Sequence, residues 1–141
     1  MKNIVWISFA LVLMVGIFSC NAQTSKKSDA KSTASTKVEV YYFHFTQRCS
    51  TCHAVEDNAK LAVETLYPEK VKKGEYAFKG FNLDDASSKA IAEKLGIGGQ
   101  TLLVVCGDKK IDITSQGFMY AHDLNKIMEE IKKAVNNVLM N

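Results

Sequence analysis

Between Val38 and Phe45 the chain reads Val-Glu-Val-Tyr-Tyr-Phe-His-Phe. This β-branched and aromatic run is a largely buried strand by composition, and such a strand must be covered by other elements. The cover is legible downstream. Cys52, Val55, Ala59, Ala62, Val63 and Leu66 recur at helical spacing, Glu56 and Lys60 are set for an i,i+4 pair, and Pro68 ends the run. Glu75 to Leu83 reads as a second strand, and Asp84 or Asp85 is placed to cap a short helix carrying Ile91 and Leu95 that Gly96 stops. Thr101 to Cys106 is an apolar strand, and Gly107-Asp108 turns it into Lys109 to Thr114 as a hairpin. Leu124, Ile127, Met128, Ile131, Val135 and Val138 then mark one face of a last helix, opposite Lys126, Glu129, Lys132 and Lys133. The order β-α-β-α-β-β-α predicts an α/β fold, a mixed sheet with helices on both faces.

Residues 1–19 read as a signal segment. Lys2 supplies the positive start, and Ile4 to Phe18 is apolar apart from Ser8 and Gly16. A membrane-spanning helix needs about 20 apolar residues, so this run is too short for one. Ile17-Phe18-Ser19-Cys20 resembles a bacterial lipobox, which implies lipidation of Cys20; an ordinary signal cleaved after Ala22 is the alternative. Residues 20–37 follow as a tether of Ser, Thr, Lys, Ala, Asn and Gln with nothing large and apolar to bury, able to hold a folded body on the order of 20 Å from a membrane. The domain proper is then 38–141. Four lysines of the tether, against Asp29 alone, hold most of the formal charge of +3. The body is close to neutral, so no broad basic face exists for phosphates and nucleic-acid binding is not expected.

Chemistry concentrates at Cys49-Ser50-Thr51-Cys52, where the first strand gives way to the first helix. The N–H groups and positive dipole end of a helix stabilise a thiolate at Cys49, and Arg48 adds a neighbouring positive charge. Cys52, one turn further on, is placed to attack a mixed disulfide formed at Cys49. Cys106 ends an apolar strand and reads as a buried, inert thiol. His44 and His122 read as strand and helix decoration, and Tyr41, Tyr42, Phe43 and Phe45 as core and strand surface.

Phe43-His44-Phe45 before the cysteines, Phe81-Asn82-Leu83-Asp84 on the second strand, and Leu95-Gly96-Ile97-Gly98-Gly99-Gln100-Thr101-Leu102-Leu103-Val104-Val105 match, in order, the pattern of the thioredoxin superfamily. The resemblance covers most of Val38 to Met140. More narrowly the chain is similar to small thioredoxin-like lipoproteins labelled ArsF-type nitrophenyl nitroreductase subunits, although it shows neither a flavin site nor a nicotinamide fingerprint; no cofactor is expected. The resemblance implies a thioredoxin-like fold, with Cys49 attacking and Cys52 resolving. It also implies that Gly99 and Gln100 bind substrate, since Gln100 stands where the family keeps a cis-proline beside the sulfurs. Two further positions depart from the pattern: Arg48 replaces a tryptophan, and Phe43 stands where a buried acid is usual. Proton transfer to Cys52 then needs another group, with Glu56 and His53 as candidates. A cis bond before a non-proline residue costs about 2.5–4 kcal/mol, so the Gly99–Gln100 peptide is expected to be trans. Losing the ring is expected to uncover the sulfurs, weakening general disulfide reduction and easing adventitious Zn²⁺ or Cu(I) binding.

Cys49 to His53 is also a literal C-x-x-C-H, the c-type haem attachment pattern, with Met119 or Met128 as candidate sixth ligands. The strand before it and the β-rich body after it fit a thioredoxin-like sheet better. Two thiols with His53 and His44 offer a soft-metal site as another alternative, and a structural disulfide in a non-catalytic binding module is a third. The expectation is a thiol-disulfide oxidoreductase of the bacterial cell envelope, anchored to a membrane through lipid on Cys20 and facing the periplasm. It would act on disulfide-containing proteins or small thiols and be reset by a separate redox partner, with no resident metal.

Overall fold

The computed structural model describes residues 37–140; the signal segment, Cys20 and all but the last residue of the tether lie outside the described residues. Strand β1 (Val38–His44) is followed by α1 (Ser50–Leu66), α2 (Pro68–Lys72), β2 (Tyr76–Asn82), α3 (Ala86–Leu95), β3 (Thr101–Cys106), β4 (Lys109–Asp112), α4 (Thr114–Met119) and α5 (Leu124–Met140). The sheet order is β2-β1-β3-β4. β1 runs parallel to β2 and antiparallel to β3, and β4 is antiparallel to β3. This is the expected α/β class in a thioredoxin-like arrangement, a mixed sheet with helices on both faces.

Alternation along β1 divides the core. Val38, Val40 and Tyr42 join Leu102 and Val104 against Val55, Ala59 and Val63 of α1 and Ile127, Ile131 and Val135 of α5. Tyr41 and Phe43 point the other way, where Leu103, Val105 and Ala92 of α3 meet them. The stripe of apolar residues predicted for the last helix is thus its buried side.

Two short helices are additions to the predicted order. Pro68 does end the α1 run, but it also occupies the first turn of α2, where its missing N–H costs nothing. The last hairpin strand, expected to reach Thr114, stops at Asp112, because Thr114 begins α4 instead. Asp112 Oδ1 accepts from Thr114 N at 2.8 Å, and the Thr114 hydroxyl accepts from Leu102 N at 2.9 Å, which fixes the bend at Ile113. The α3 cap also differs. Asp85 holds the N-cap position without a side-chain cap bond, and Asp84 turns its carboxylate to Thr46 N at 2.7 Å. Gly96 ends α3 in the left-handed region at φ 68°, as its position predicts.

Glu39 is held on β1 by Lys79 at 2.8 Å, Lys37 at 3.1 Å and the Tyr41 hydroxyl, which donates at 2.5 Å. Burial pushes this carboxyl up, but the bonds from Lys79, Tyr41 and Lys37 outweigh it and bring the pKa down to about 2 from 4.5. A pKa depressed by folding contributes stability that is full above the ordinary carboxylate range and lost as pH falls toward 2. Glu39→Gln should therefore lower the thermal midpoint at neutral pH yet flatten its fall between pH 4.5 and 2. Midpoints that fall in parallel for the two chains across that window would contradict this.

Candidate active site

β1 ends at His44, and the chain crosses Phe45 to Arg48 before α1 begins at Ser50 with Cys49 as its N-cap. The strand-to-helix junction puts the two predicted thiols side by side. Cys49 Sγ and Cys52 Sγ are 3.0 Å apart, both as free thiols, with Cys49 exposed and Cys52 only 4% exposed. A disulfide is about 2.05 Å long, so a short approach of the sulfurs converts one state into the other.

The Cys49 thiol is held below the ordinary cysteine value. The hydrogen bond from the Cys52 side chain contributes most, followed by the Cys52 backbone N–H; burial opposes them, and the Thr51 and Cys49 N–H groups add to the lowering. The helix end thus acts as the sequence predicts. The Arg48 guanidinium is engaged by Glu56 Oε2. Two outcomes follow. The thiolate of Cys49, followed by its rate of alkylation against pH, should form below pH 9.0, and Cys52→Ala should raise that midpoint without restoring the ordinary value, because the backbone donors remain. A midpoint unmoved by Cys52→Ala would contradict the assignment of the neighbouring thiol as the main donor.

Gln100 lies beside Cys52, although 48 residues away in sequence, and its Oε1 accepts from the Cys52 thiol at 3.4 Å. The Gly99–Gln100 peptide is trans, as expected, since the described residues contain no cis bond. The sulfurs are not both uncovered, however. The Gln100 amide lies against Cys52 where a ring was expected to be missed, leaving Cys49 alone open. The Gly99 carbonyl accepts from the Thr101 hydroxyl at 2.9 Å. The single proton of Cys52 therefore has two acceptors, Gln100 and the Cys49 sulfur, and charge on Cys49 favours the second.

Behind the pair stands a polar cluster whose connections are not evident from local spacing. Glu56, expected to pair with Lys60, instead reaches Arg48, with His44 Nε2 at 4.0 Å from its other oxygen. Its carboxylate fits there because β2 has a glycine at the contact. A Cβ on Gly80 would stand 2.6 Å from Glu56 Oε1 and 3.8 Å from His44 Nε2. Tyr42 pairs in register with Gly80 and with Leu102, is fully buried, and its hydroxyl has no hydrogen-bond partner among the described residues. Phe43 lies on the α3 side of the sheet, stacked on Phe81 at 5.1 Å. The polar side chains of β1 on the α1 side are Tyr42 and His44, on either side of Phe43 in sequence. Strand parity is the signal in the sequence that could have found them, since Tyr42 and His44 share the face of Val38 and Val40. A glycine inside a strand is the other, because it marks a close approach.

The remaining candidates are elsewhere. His53 is exposed on α1 and His122 is exposed before α5. Cys106 is half-buried rather than buried, because it ends β3 at the edge of a cavity of about 540 Å³ that also touches Tyr41, Leu95 and Lys110. It pairs with Val38 at the start of β1, the end remote from Cys49. A smaller pocket of about 230 Å³, between Phe45, Leu83, Ala92, Ile97 and Gly98, adjoins segments that flank the thiol pair. Among the described residues, no three His, Cys, Asp or Glu side chains converge as a metal site would require.

No family model matches this chain, and no curated protein does. Among solved structures it is similar to one described as the structure of a malarial protein, at 17% identity over 70% of this chain and 97% of that chain, with a TM-score of 0.45.

Proposed function

We propose that this chain is a thiol-disulfide oxidoreductase of the thioredoxin superfamily, with Cys49 as nucleophile and Cys52 as resolving thiol. The observation that supports this best is the asymmetry of the pair: two free thiols 3.0 Å apart at a helix N-terminus, the first exposed and favoured as thiolate, the second buried behind it. A structural disulfide has no need of an exposed, acidified member. Cys49 thiolate attacks a substrate disulfide and forms a mixed disulfide, releasing one substrate thiolate. Cys52 then attacks Cys49 Sγ, the Cys49–Cys52 bond forms, and the second substrate thiolate leaves. Two electrons pass from the pair to the substrate, and a partner dithiol must return them for another cycle.

The open pocket by Phe45 and Gly98 suits an apolar side chain of an extended polypeptide, which favours protein disulfides as substrates; the resemblance to the thioredoxin pattern adds Gly99 and Gln100 to their binding. The lipobox-like Ile17-Phe18-Ser19-Cys20 supports action at the bacterial cell envelope, on a lipid anchor and facing the periplasm. Equilibrating the purified chain with glutathione buffers of graded ratio tests the central reading. A reversible two-electron transition assigned by peptide mapping to Cys49 and Cys52 supports it, and a pair that stays dithiol or disulfide across the whole range sinks it.

A further inference from the structure

We infer that the Gln100 side-chain amide serves Cys52 in both of its protonation states, a role that rests on the oxidoreductase reading above. It accepts from the thiol in the dithiol, and it turns over to donate N–H to the thiolate that resolves a mixed disulfide on Cys49. Resolution asks Cys52 to become an anion where only 4% of the residue is exposed, and a buried anion needs donors. Among the described residues, the side chains hydrogen-bonded to Cys52 Sγ are Cys49, at 3.0 Å, and Gln100, at 3.4 Å. A mixed disulfide on Cys49 removes the first as a charged acceptor and puts no hydrogen in its place. Gln100 is then the partner left in contact with the reacting sulfur.

An amide is suited to both duties. As found, Oε1 faces the sulfur and holds the proton on Cys52. Half a turn about the last side-chain torsion brings the NH₂ group to the same place. That torsion is broad and roughly two-fold, and the two ends of the amide differ little in size. Among the described residues the bond to Cys52 is the one side-chain hydrogen bond of Gln100, so nothing ties the amide nitrogen to its present side. The backbone does not need to move. Thr101, the next residue, begins β3 in register with Phe43, and its hydroxyl donates to the Gly99 carbonyl at 2.9 Å. A proline side chain at this position has neither donor nor acceptor, so the exchange belongs to glutamine.

The step balances without another reagent. Cys52 gives its proton to water at the half-buried edge where Gln100 lies, the amide turns, and Nε2–H donates to the sulfur anion. That anion attacks Cys49 Sγ, the Cys49–Cys52 bond forms, and the bond from Cys49 to the substrate sulfur breaks. The departing thiolate carries the electron pair and takes a proton from water. Gln100 neither gains nor loses a proton.

Gln100→Leu and Gln100→Glu test this on the full chain. Glutathione disulfide is the probe, and release of glutathione from Cys49 is followed by mass spectrometry against pH. Release is unimolecular once the mixed disulfide exists, so a loss of substrate affinity does not enter it. The other charged and titratable groups about the pair, Cys49, Arg48 with Glu56, His44 and the Tyr42 phenol, are the same in all three chains. Because a hydrogen bond to a charged group is roughly twice as strong as a neutral one, Gln100→Leu should slow release about fivefold and move its pH midpoint upward. Gln100→Glu should slow it further, since a carboxylate accepts from the thiol and repels the thiolate. An amide fixed as acceptor predicts faster release for leucine, because the thiol loses its partner. The amide itself is read by NMR on a Cys49→Ala chain. As Cys52 ionises, one Gln100 side-chain N–H proton should move downfield relative to its geminal partner, and the movement should vanish when Cys52→Ser is added. Unchanged or faster release in Gln100→Leu, or slowing without that movement of the amide proton, would overturn the inference and leave the oxidoreductase reading intact. If the unsubstituted chain forms the mixed disulfide and never releases glutathione, both the inference and the reading fall.

Discussion

Cys49→Ser should reduce disulfide exchange by this chain to the uncatalysed background, whereas Cys52→Ser should keep the first half of the reaction and accumulate a mixed disulfide. The difference follows from position. Cys49 is the exposed member, and its lowered pKa makes it more thiolate than an ordinary cysteine at a given pH; a serine hydroxyl in the same place does not ionise. Cys52 is reached only from Cys49, because the body of the domain and Gln100 close its other sides. Reduction of glutathione disulfide coupled to a spectrophotometric thiol assay, with trapping of the adduct on each variant, reads both outcomes. Retention of exchange by Cys49→Ser, or a mixed disulfide mapped to Cys52 in that variant, would reverse the assignment.

Phe43→Ala should cost about 3–5 kcal/mol, the range for emptying a fully buried aromatic site. Phe43 has no exposed surface, stacks on Phe81 at 5.1 Å and 21°, and meets Tyr41 edge-on at 6.3 Å. It pairs in register with Phe81 on β2 and Thr101 on β3, so the void opens between three strands and α3, where backbone cannot close it. For a domain of about 100 residues this corresponds to a fall in thermal midpoint on the order of 15 °C or more. Phe43→Leu, which keeps much of the volume, should lose far less. A midpoint for Phe43→Ala close to that of the parent chain would show that this layer is not packed as described. Because Thr101 follows Gln100 directly, the alanine variant should also loosen the cover over Cys52, visible as faster alkylation of that thiol.

The elements with one strong period are legible in the amino-acid sequence itself. α1, α5 and the strands at 38 and 101 each carry a single apolar face or run, and nothing in the tertiary structure competes with it. What escapes local reading is set by contacts distant in sequence. Helix α4 forms where Asp112 and Leu102 bind Thr114 from both sides, and the intervening residues alone read as a continuing strand. Local spacing offers Lys60 to Glu56, but β2 brings Gly80 and opens a better place beside Arg48. The thiol pair is visible because its two members are one helical turn apart. The buried hydroxyl of Tyr42 is not, since the four aromatic residues at 41–43 and 45 all read as core, and only the side on which α1 packs separates Tyr42 from Phe43.

Strand β1 lies in the middle of the sheet but leads it in sequence, and this has a bearing on how the chain survives its own synthesis. Its neighbours are made later, first Tyr76–Asn82 and then Thr101–Cys106. Gln100 follows Cys52 by 48 residues. At about 5–20 residues per second the emerging chain carries both thiols without that cover for on the order of 2–10 s. Helix α1, which the finished sheet holds in place, is only marginal as an isolated segment, so the acidified Cys49 does not yet exist either. The nascent thiols are then alike, and the difference between an exposed sulfur and a covered one arises only when the ribosome has passed β3.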